Sequence, residues 1–405
     1  MNRSLVCGSI LVGFALAAAC GTSGSSPATS ADGGGGSVGD SGNPGNPGNS
    51  GGDGDSGNGN PSGDSGTNTG DGGNPSGDDG GAPRGDSGGT TTGDGGTCDH
   101  CPTGFACQTG GTLCKSNGVP AFGNVYLIVE ENHSYGTVLD GGPYIASLAA
   151  SNAAAYPNYE DSLVHPSLPN YLTLTSGSNQ GVTCDCQAGS GGGGTCPGSC
   201  NVVESAVCNC VQPATVANVA DRIEAKGLTW HAYGEGMSDG GCDTTNHDKY
   251  VARHIPFVYY DAIQSSATRC ANVVPWTATS FANDLGKYTF SFIAPDLEDD
   301  GHTEYDNIDE VTATDTWLKA NVPALIDSAS FKKNGVLFIT WDEGDSLATS
   351  TDDHVLLIIV SPFAVKTVTA AAYCHTSLLE TIEEGLGLQT PHLTSSAPIN
   401  DVWKN

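Results

Sequence analysis

Three apolar runs in this chain each end in acids. NVYLIVE (124–130) leads into Glu131 and Asn132. TFSFIAP (289–295) leads into Asp296, Asp299, Asp300 and His302. GVLFITW (335–341) leads into Asp342, Glu343 and Asp345. One acidic end would be ordinary, because turns are polar. Three, with paired acids and a nearby histidine, form a set. Clustered carboxylates repel one another unless a cation neutralises them, and an oxygen-rich set suits Ca²⁺, Mg²⁺, Mn²⁺ or Zn²⁺. A fourth stretch, HPSLPNY (165–171), holds Ser167 between two prolines. Proline fixes φ and lacks an N–H, so Ser167 keeps little conformational freedom. Pro169 suits the first turn of a helix. A serine there meets free N–H groups and the positive end of the helix dipole, where phosphate binds. A metal beside the hydroxyl lowers its pKa and makes it a nucleophile at neutral pH. A helix-capping role for Ser167 is compatible with that chemistry.

The elements that would carry these residues are legible in the same pattern. NVYLIVEEN, LTWHAY, TFSFIAPD, GVLFITWDEGD and VLLIIVSPF are short, β-branched and bounded by polar residues. They read as strands buried on both faces. Helical patterns lie between them: TVANVADRIEAKG, residues 308–328, and SLLETIEEGLG with Gly385 and Gly387 near its end. Alternating strands and helices predict an α/β fold, a three-layer α/β/α sandwich on a mostly parallel sheet. Ligands of such sheets sit at the carboxyl ends of the strands, where the three acidic groups fall.

Residues 121–405 form the expected catalytic domain; what precedes it differs in kind. The first 20 residues read as a secretory signal, with Arg3 ahead of an apolar stretch from Leu5 to Ala19. AAAC, ending at Cys20, resembles a bacterial lipobox, which would lipidate Cys20 and anchor the chain to a membrane; ordinary signal cleavage is the alternative. Residues 21–97 are nearly all Gly, Ser, Asp, Asn, Pro and Thr, and read as a disordered tether. GDSGG at 85–89 imitates a protease motif, but GDSG recurs three more times in the tether and reads as low complexity. Asp53 and Asp55 hint at a calcium loop that lacks its glutamate.

The net charge of −31 argues against nucleic acid as a partner. It also means that an anionic substrate needs a locally positive site. Fifteen cysteines in an exported chain point to disulfides. Without Cys7 and Cys20 thirteen remain, so one is odd. Residues 98–120, holding four of them, read as a two-disulfide knot, with a zinc site as the alternative. Six more, from Cys184 to Cys210, frame a Gly-rich insertion that reads as a stapled loop.

The motifs NVYLIVEENHSYGTVL, HPSLPNYLTLTSGS, RHIPFVYY, FSFIAPDLEDDGH, LFITWDEGD, LLIIVSPF and YCHTSLLETIEEGLGL occur in this order. Together they resemble the bacterial phosphoesterase family of acid phosphatases and phospholipases C, within the alkaline phosphatase superfamily, over most of residues 122–390. The resemblance implies that Glu131, Asn132, Asp342 and Glu343 ligate a metal, and that Ser167 is the nucleophile bridging metal and phosphorus. It implies that His302 faces the phosphoryl or leaving group and that Asp300 orients it or ligates. His254 and His375 match family motifs as further catalytic candidates, and His354 follows the acidic pair. Two-metal members of the superfamily carry Asp-His where this chain has Asp342-Glu343, so one dominant metal is expected. The implied activity is hydrolysis of a small phosphate ester, by an acid phosphatase-type phosphomonoesterase through a phosphoserine. A phospholipase C or other phosphodiesterase is the alternative, and a non-catalytic surface lipoprotein a further one. The expected location is the outer membrane or cell surface, the periplasm or the exterior.

Overall fold

The computed structural model describes residues 101–107, 111–189, 205–238, 240–345 and 353–405. The signal, Cys20, the tether and most of the insertion lie outside them. The centre is an eight-stranded sheet. In chain order its strands are β1 (Asn124–Glu130), β2 (Ala153–Ala155), β3 (Trp230–Gly234), β4 (Val273–Pro275), β5 (Phe290–Ala294), β6 (Gly335–Trp341), β7 (Leu357–Val360) and β8 (Thr367–Thr369). Their spatial order is β4-β3-β5-β1-β6-β7-β2-β8. Only β7 runs antiparallel to its neighbours. The five long apolar runs of the sequence became β1, β3, β5, β6 and β7, which are buried on both faces apart from Asn124 at the start of β1.

Helices cover both faces, which makes the three layers. Four matter here: α1 (Pro143–Ser151), α2 (Ser167–Ser176), α3 (Glu310–Asp327) and α4 (His375–Leu386). On one face Phe292 of β5 packs against Tyr171 of α2 and Phe257. On the other, Tyr126 of β1 packs against Phe281 and Phe331. Helix α2 is buried along its whole length although half its residues are polar. It tolerates this in part because Thr173, Thr175 and Ser176 return their hydroxyls to the carbonyls four residues earlier, so that these three donors are satisfied.

Residues 101–107 and 111–120 are the described part of the segment expected as a disulfide knot. They form a small antiparallel sheet of Ala106–Cys107, Cys114–Ser116 and Val119–Pro120, closed by a Cys101–Cys114 disulfide. Ser116 and Asn117 hold Glu384 of α4. Disulfides also join Cys186 to Cys210 and Cys242 to Cys270. Cys107, Cys184 and Cys374 are oxidised as well. Among the described residues no helix is long and apolar enough to cross a membrane.

Candidate active site

The ends of β1, β5 and β6 are tied by main-chain bonds just beyond the sheet. Glu131 donates its N–H to the Asp300 carbonyl at 2.9 Å, and Asp342 donates to the Glu130 carbonyl at 2.9 Å. These bonds bring the three acidic ends of the sequence to one place. Asn132 then turns through a left-handed φ of 49°, and its N–H reaches Asp342 Oδ1 at 3.1 Å. Gly301, at φ 90°, supplies the other sharp turn. A Cβ there would lie 2.6 Å from Thr314 Oγ1, so glycine is required between Asp300 and His302.

Ser167 enters this site from α2. It is the first helical residue, with Pro166 at the capping position and no side-chain cap bond. The expected capping role is therefore not taken. The hydroxyl instead donates to Glu131 Oε2 at 2.9 Å, in a buried setting. Behind Glu131 runs a relay of short polar contacts: its Oε1 lies 3.1 Å from His254 Nε2, and His254 Nδ1 lies 3.0 Å from Asp300 Oδ2. Tyr171 stacks on the His254 ring, with centroids 5.2 Å apart. Burial holds Glu131, Asp300 and Asp342 well above the usual carboxylate range, and their mutual repulsion adds to it. Burial holds His254 well below the usual imidazole range.

The other expected residues divide. Asp300 takes the His302 backbone N–H at 2.8 Å as well as the His254 ring, so it orients His254 rather than the His302 imidazole. His302 stands next to His254, with ring centroids 5.9 Å apart. Its pKa is lowered to about 4 by burial and by the cation of Arg253. Glu343 Oε2 is held by Asn170 Nδ2 at 3.1 Å and by His165 at 3.2 Å. His375 is fully buried, and both its ring nitrogens are engaged, one by Tyr159 and one by the Asp342 carbonyl at 2.6 Å. It therefore acts on the loop that carries Asp342 and not on the Ser167 hydroxyl. His354 lies 3.7 Å from Glu160, beside a different strand. Asp345 binds His133, Ser134 and Thr137 and does not join the other acids.

Three residues join the site without having been singled out in the sequence. Arg253 is the cation next to His254 in RHIPF; its Nη2 lies 3.4 Å from His302 Nε2 and its Nε 3.3 Å from Asp185. A buried cation in an apolar stretch was the available signal. Asp185 belongs to the insertion, and its other oxygen accepts the Leu168 N–H of α2 at 2.9 Å. A side chain of the protein thus meets the helix start where the sequence suggested a phosphate. His165 is pushed up to about 11 by hydrogen bonds to Asp161 and Glu343. A cavity of about 330 Å³ opens beside Arg253, lined also by Asp185, Gln187, Thr244, Thr245 and Asn246.

A second serine motif also emerges. GMSDG (236–240) has the spacing G-x-S-x-G and follows β3. Among the described residues no helix directly follows, so the strand–serine–helix elbow that makes such a serine nucleophilic is not formed there. Ser238 bonds Asp243, and His247 approaches that same aspartate rather than the serine.

A divalent cation fits the acids at Ser167. Asp342 Oδ2 and Asn132 Oδ1 are buried acceptors without a hydrogen-bond partner, and Glu131 Oε1 lacks one of good geometry. Orphaned oxygens of this kind are costly in a protein interior unless a cation meets them.

With the strand ends, the helix that starts at Ser167 and the buried acids in place, the class of protein follows. Residues 143–389 match the model of the Phosphoesterase family; the chain belongs to that family and is a phosphoric ester hydrolase. It is 26% identical over 292 residues to the phosphatidylinositol-3-phosphatase of Mycobacterium tuberculosis, covering 71% of this chain and 85% of that protein. It is 26% identical to a probable acid phosphatase of Kluyveromyces lactis, over 67% of this chain and 60% of the yeast protein. It is 25% identical to an acid phosphatase of Aspergillus fumigatus, over 56% of this chain and 47% of that one. Similar solved structures include an alkaline phosphatase superfamily protein from Vibrio parahaemolyticus, with a TM-score of 0.43, 11% identity and 74% of each chain covered. Another is a murine ectonucleotide pyrophosphatase/phosphodiesterase, with a TM-score of 0.45 and 13% identity over 69% of this chain and all of that one.

Proposed function

We propose that the chain is a metal-dependent phosphomonoesterase that works through a phosphoserine at Ser167. The observation that carries this reading is the buried Ser167–Glu131 hydrogen bond beside the orphaned oxygens of Asn132 and Asp342. Glu131, Asn132, Asp342 and Glu343 would hold one divalent ion. When bound, that ion supplies a lowered hydroxyl pKa and positive charge for the phosphoryl oxygens.

The remaining steps belong to the protein's own residues. The Ser167 proton passes to Glu131 Oε2 as the Oγ–P bond forms, and from there to the alcohol oxygen as the P–O bond breaks. His254 and Asp300 hold Glu131 in place from behind. Arg253 meets the phosphoryl charge in a nearly buried position, where its attraction is least screened. It also compensates locally for the chain's negative charge. His302, neutral above about pH 4, then takes a proton from water. The water oxygen attacks phosphorus, the P–Oγ bond breaks, and His302 returns the proton to Ser167.

The polar lining of the cavity by Arg253 favours a small polar alcohol as leaving group over an acyl chain. Export is supported by the oxidised cysteines, and an anchor at Cys20 would be read as lipid mass on the mature N-terminus. The test of activity is hydrolysis of p-nitrophenyl phosphate against bis-p-nitrophenyl phosphate, with and without chelator. Chelator-sensitive preference for the monoester is expected. Equal or better hydrolysis of the diester, or full activity after exhaustive metal removal, would overturn the proposal.

A further inference from the structure

Behind the same strand ends lies a second group of acids that phosphoryl transfer does not use. Glu130 is the last residue of β1 and Glu131 the next in the chain. Successive residues of an extended chain point to opposite faces, so Glu131 meets Ser167 while Glu130 faces away from it. The same division follows β5. Asp300 reaches His254, whereas Asp296 and Asp299 gather with Glu235 from the end of β3, one oxygen of each within 4.8 Å of the others. Glu130 is fully buried, and neither of its carboxylate oxygens has a hydrogen-bond partner. Ile293 of β5 pairs with Ile128 of β1 on one side and Tyr233 of β3 on the other, so Glu130 and Glu235, each two residues further on, lie on the same face of the sheet. Lys249 is the cation near Asp296 and Asp299, and its ammonium is paired with Glu298.

We propose that Glu130, Glu235, Asp296 and Asp299 form a second cation site, built for calcium, back to back with the site at Ser167. The ligand chemistry selects the ion. All four donors are carboxylates, with no imidazole or thiolate, which favours a hard cation. They come from three separate strand ends at no regular spacing, which suits the variable coordination of Ca²⁺ better than the strict octahedron of Mg²⁺. Glu130 supplies the dry side, and the partly exposed Asp296, Asp299 and Glu235 supply the entry and room for water. Glu130 and Asp296 are among the charges that act on Asp300. A cation here therefore steadies the acids of the Ser167 site from behind, without touching substrate.

Trp317 provides a reporter, because its indole lies against Glu235 and packs at a tilt on Trp276, with ring centroids 5.0 Å apart. Metal-stripped full-length protein would be titrated with terbium, a luminescent calcium surrogate, under tryptophan excitation. Sensitised emission that calcium competes away is expected in the wild type and in Asp342→Asn. It should be lost in the double variant Glu235→Gln, Asp299→Asn. Calcium should also raise the unfolding temperature of Asp342→Asn but not of the double variant. The double variant removes like-charge repulsion, so it should fold. Trp317→Phe keeps all four acids, and should lose the emission but retain the thermal shift. Equal emission in wild type and double variant, or no calcium-induced thermal shift in Asp342→Asn, would overturn the site. Neither result bears on Ser167, so this proposal can fail while the phosphatase reading stands.

Discussion

Replacing Ser167 by alanine separates chemistry from folding. The side chain makes one described hydrogen bond, 2.9 Å to Glu131, and does not cap its helix. Losing a hydrogen bond to a carboxylate costs about 1.5–3 kcal/mol. Alanine is the better helix former by a few tenths of a kcal/mol, which offsets part of that loss. A net cost of about 1–2 kcal/mol follows, which lowers the unfolding temperature by only a few degrees in a domain of this size. Turnover should fall by at least about 10³-fold, as when a nucleophile is removed and only binding and charge stabilisation remain. Steady-state hydrolysis of p-nitrophenyl phosphate, with thermal unfolding measured alongside, reads both numbers. Acid quench during turnover should leave phosphate on Ser167 of the wild type and none on the variant. A folded Ser167→Ala protein that hydrolyses the ester within tenfold of the wild-type rate would refute the mechanism.

Further outcomes follow from neighbouring groups. Chelation should abolish activity and a divalent ion should restore it, whereas Asp342→Asn should not be restored at the same metal concentration; atomic spectroscopy of dialysed protein gives the metal content. The acid limb of kcat should lie nearer pH 4 than 6.5, because burial and Arg253 depress His302, and Arg253→Lys should weaken substrate binding more than it alters the fold. Glu383 is raised to about 7 from 4.5, chiefly by burial. Its folded form holds a proton that the unfolded form has lost, so stability is fully present below pH 4.5 and falls as pH rises through about 7. The difference is worth up to about 3 kcal/mol, and Glu383→Gln should flatten it in denaturant titrations at pH 5 and pH 8.

The sequence showed long strands better than short ones, for a physical reason. β1, β3, β5, β6 and β7 are buried on both faces, so each reads as a mostly apolar run, broken only by single residues such as His231 and Ser291. Ala153–Ala155 is a triple alanine, a helix former by propensity, and becomes β2 only because β7 and β8 pair with it. Val273–Pro275 and Thr367–Thr369 are likewise three-residue edge strands whose pairing is long-range. Nothing in VLLIIV states that β7 runs the opposite way to β6. In the site, Glu131, Asn132, Asp342 and Glu343 were legible because they follow strands directly. Arg253 was hidden inside a motif noticed for its histidine, and Asp185 inside an insertion set aside as a stapled loop. Glu130 read as the end of a strand, because alternation of faces cannot by itself show that a buried acid has no partner.

Asp185 carries one more consequence. It is flanked by two oxidised cysteines, Cys184 and Cys186, and its carboxylate holds both the start of α2 and Arg253. A chain still in a reducing compartment would have its serine and acids but not a fixed arginine. Catalytic competence would then ripen with thiol oxidation, and the phosphate esters of the cell that makes the enzyme would be spared until it had left. Partial reduction that leaves the circular dichroism unchanged should accordingly raise KM, and reoxidation should reverse it; a KM indifferent to the redox state would mean that the loop merely decorates the site. On this view the cysteine-rich insertion is a maturation timer for the enzyme.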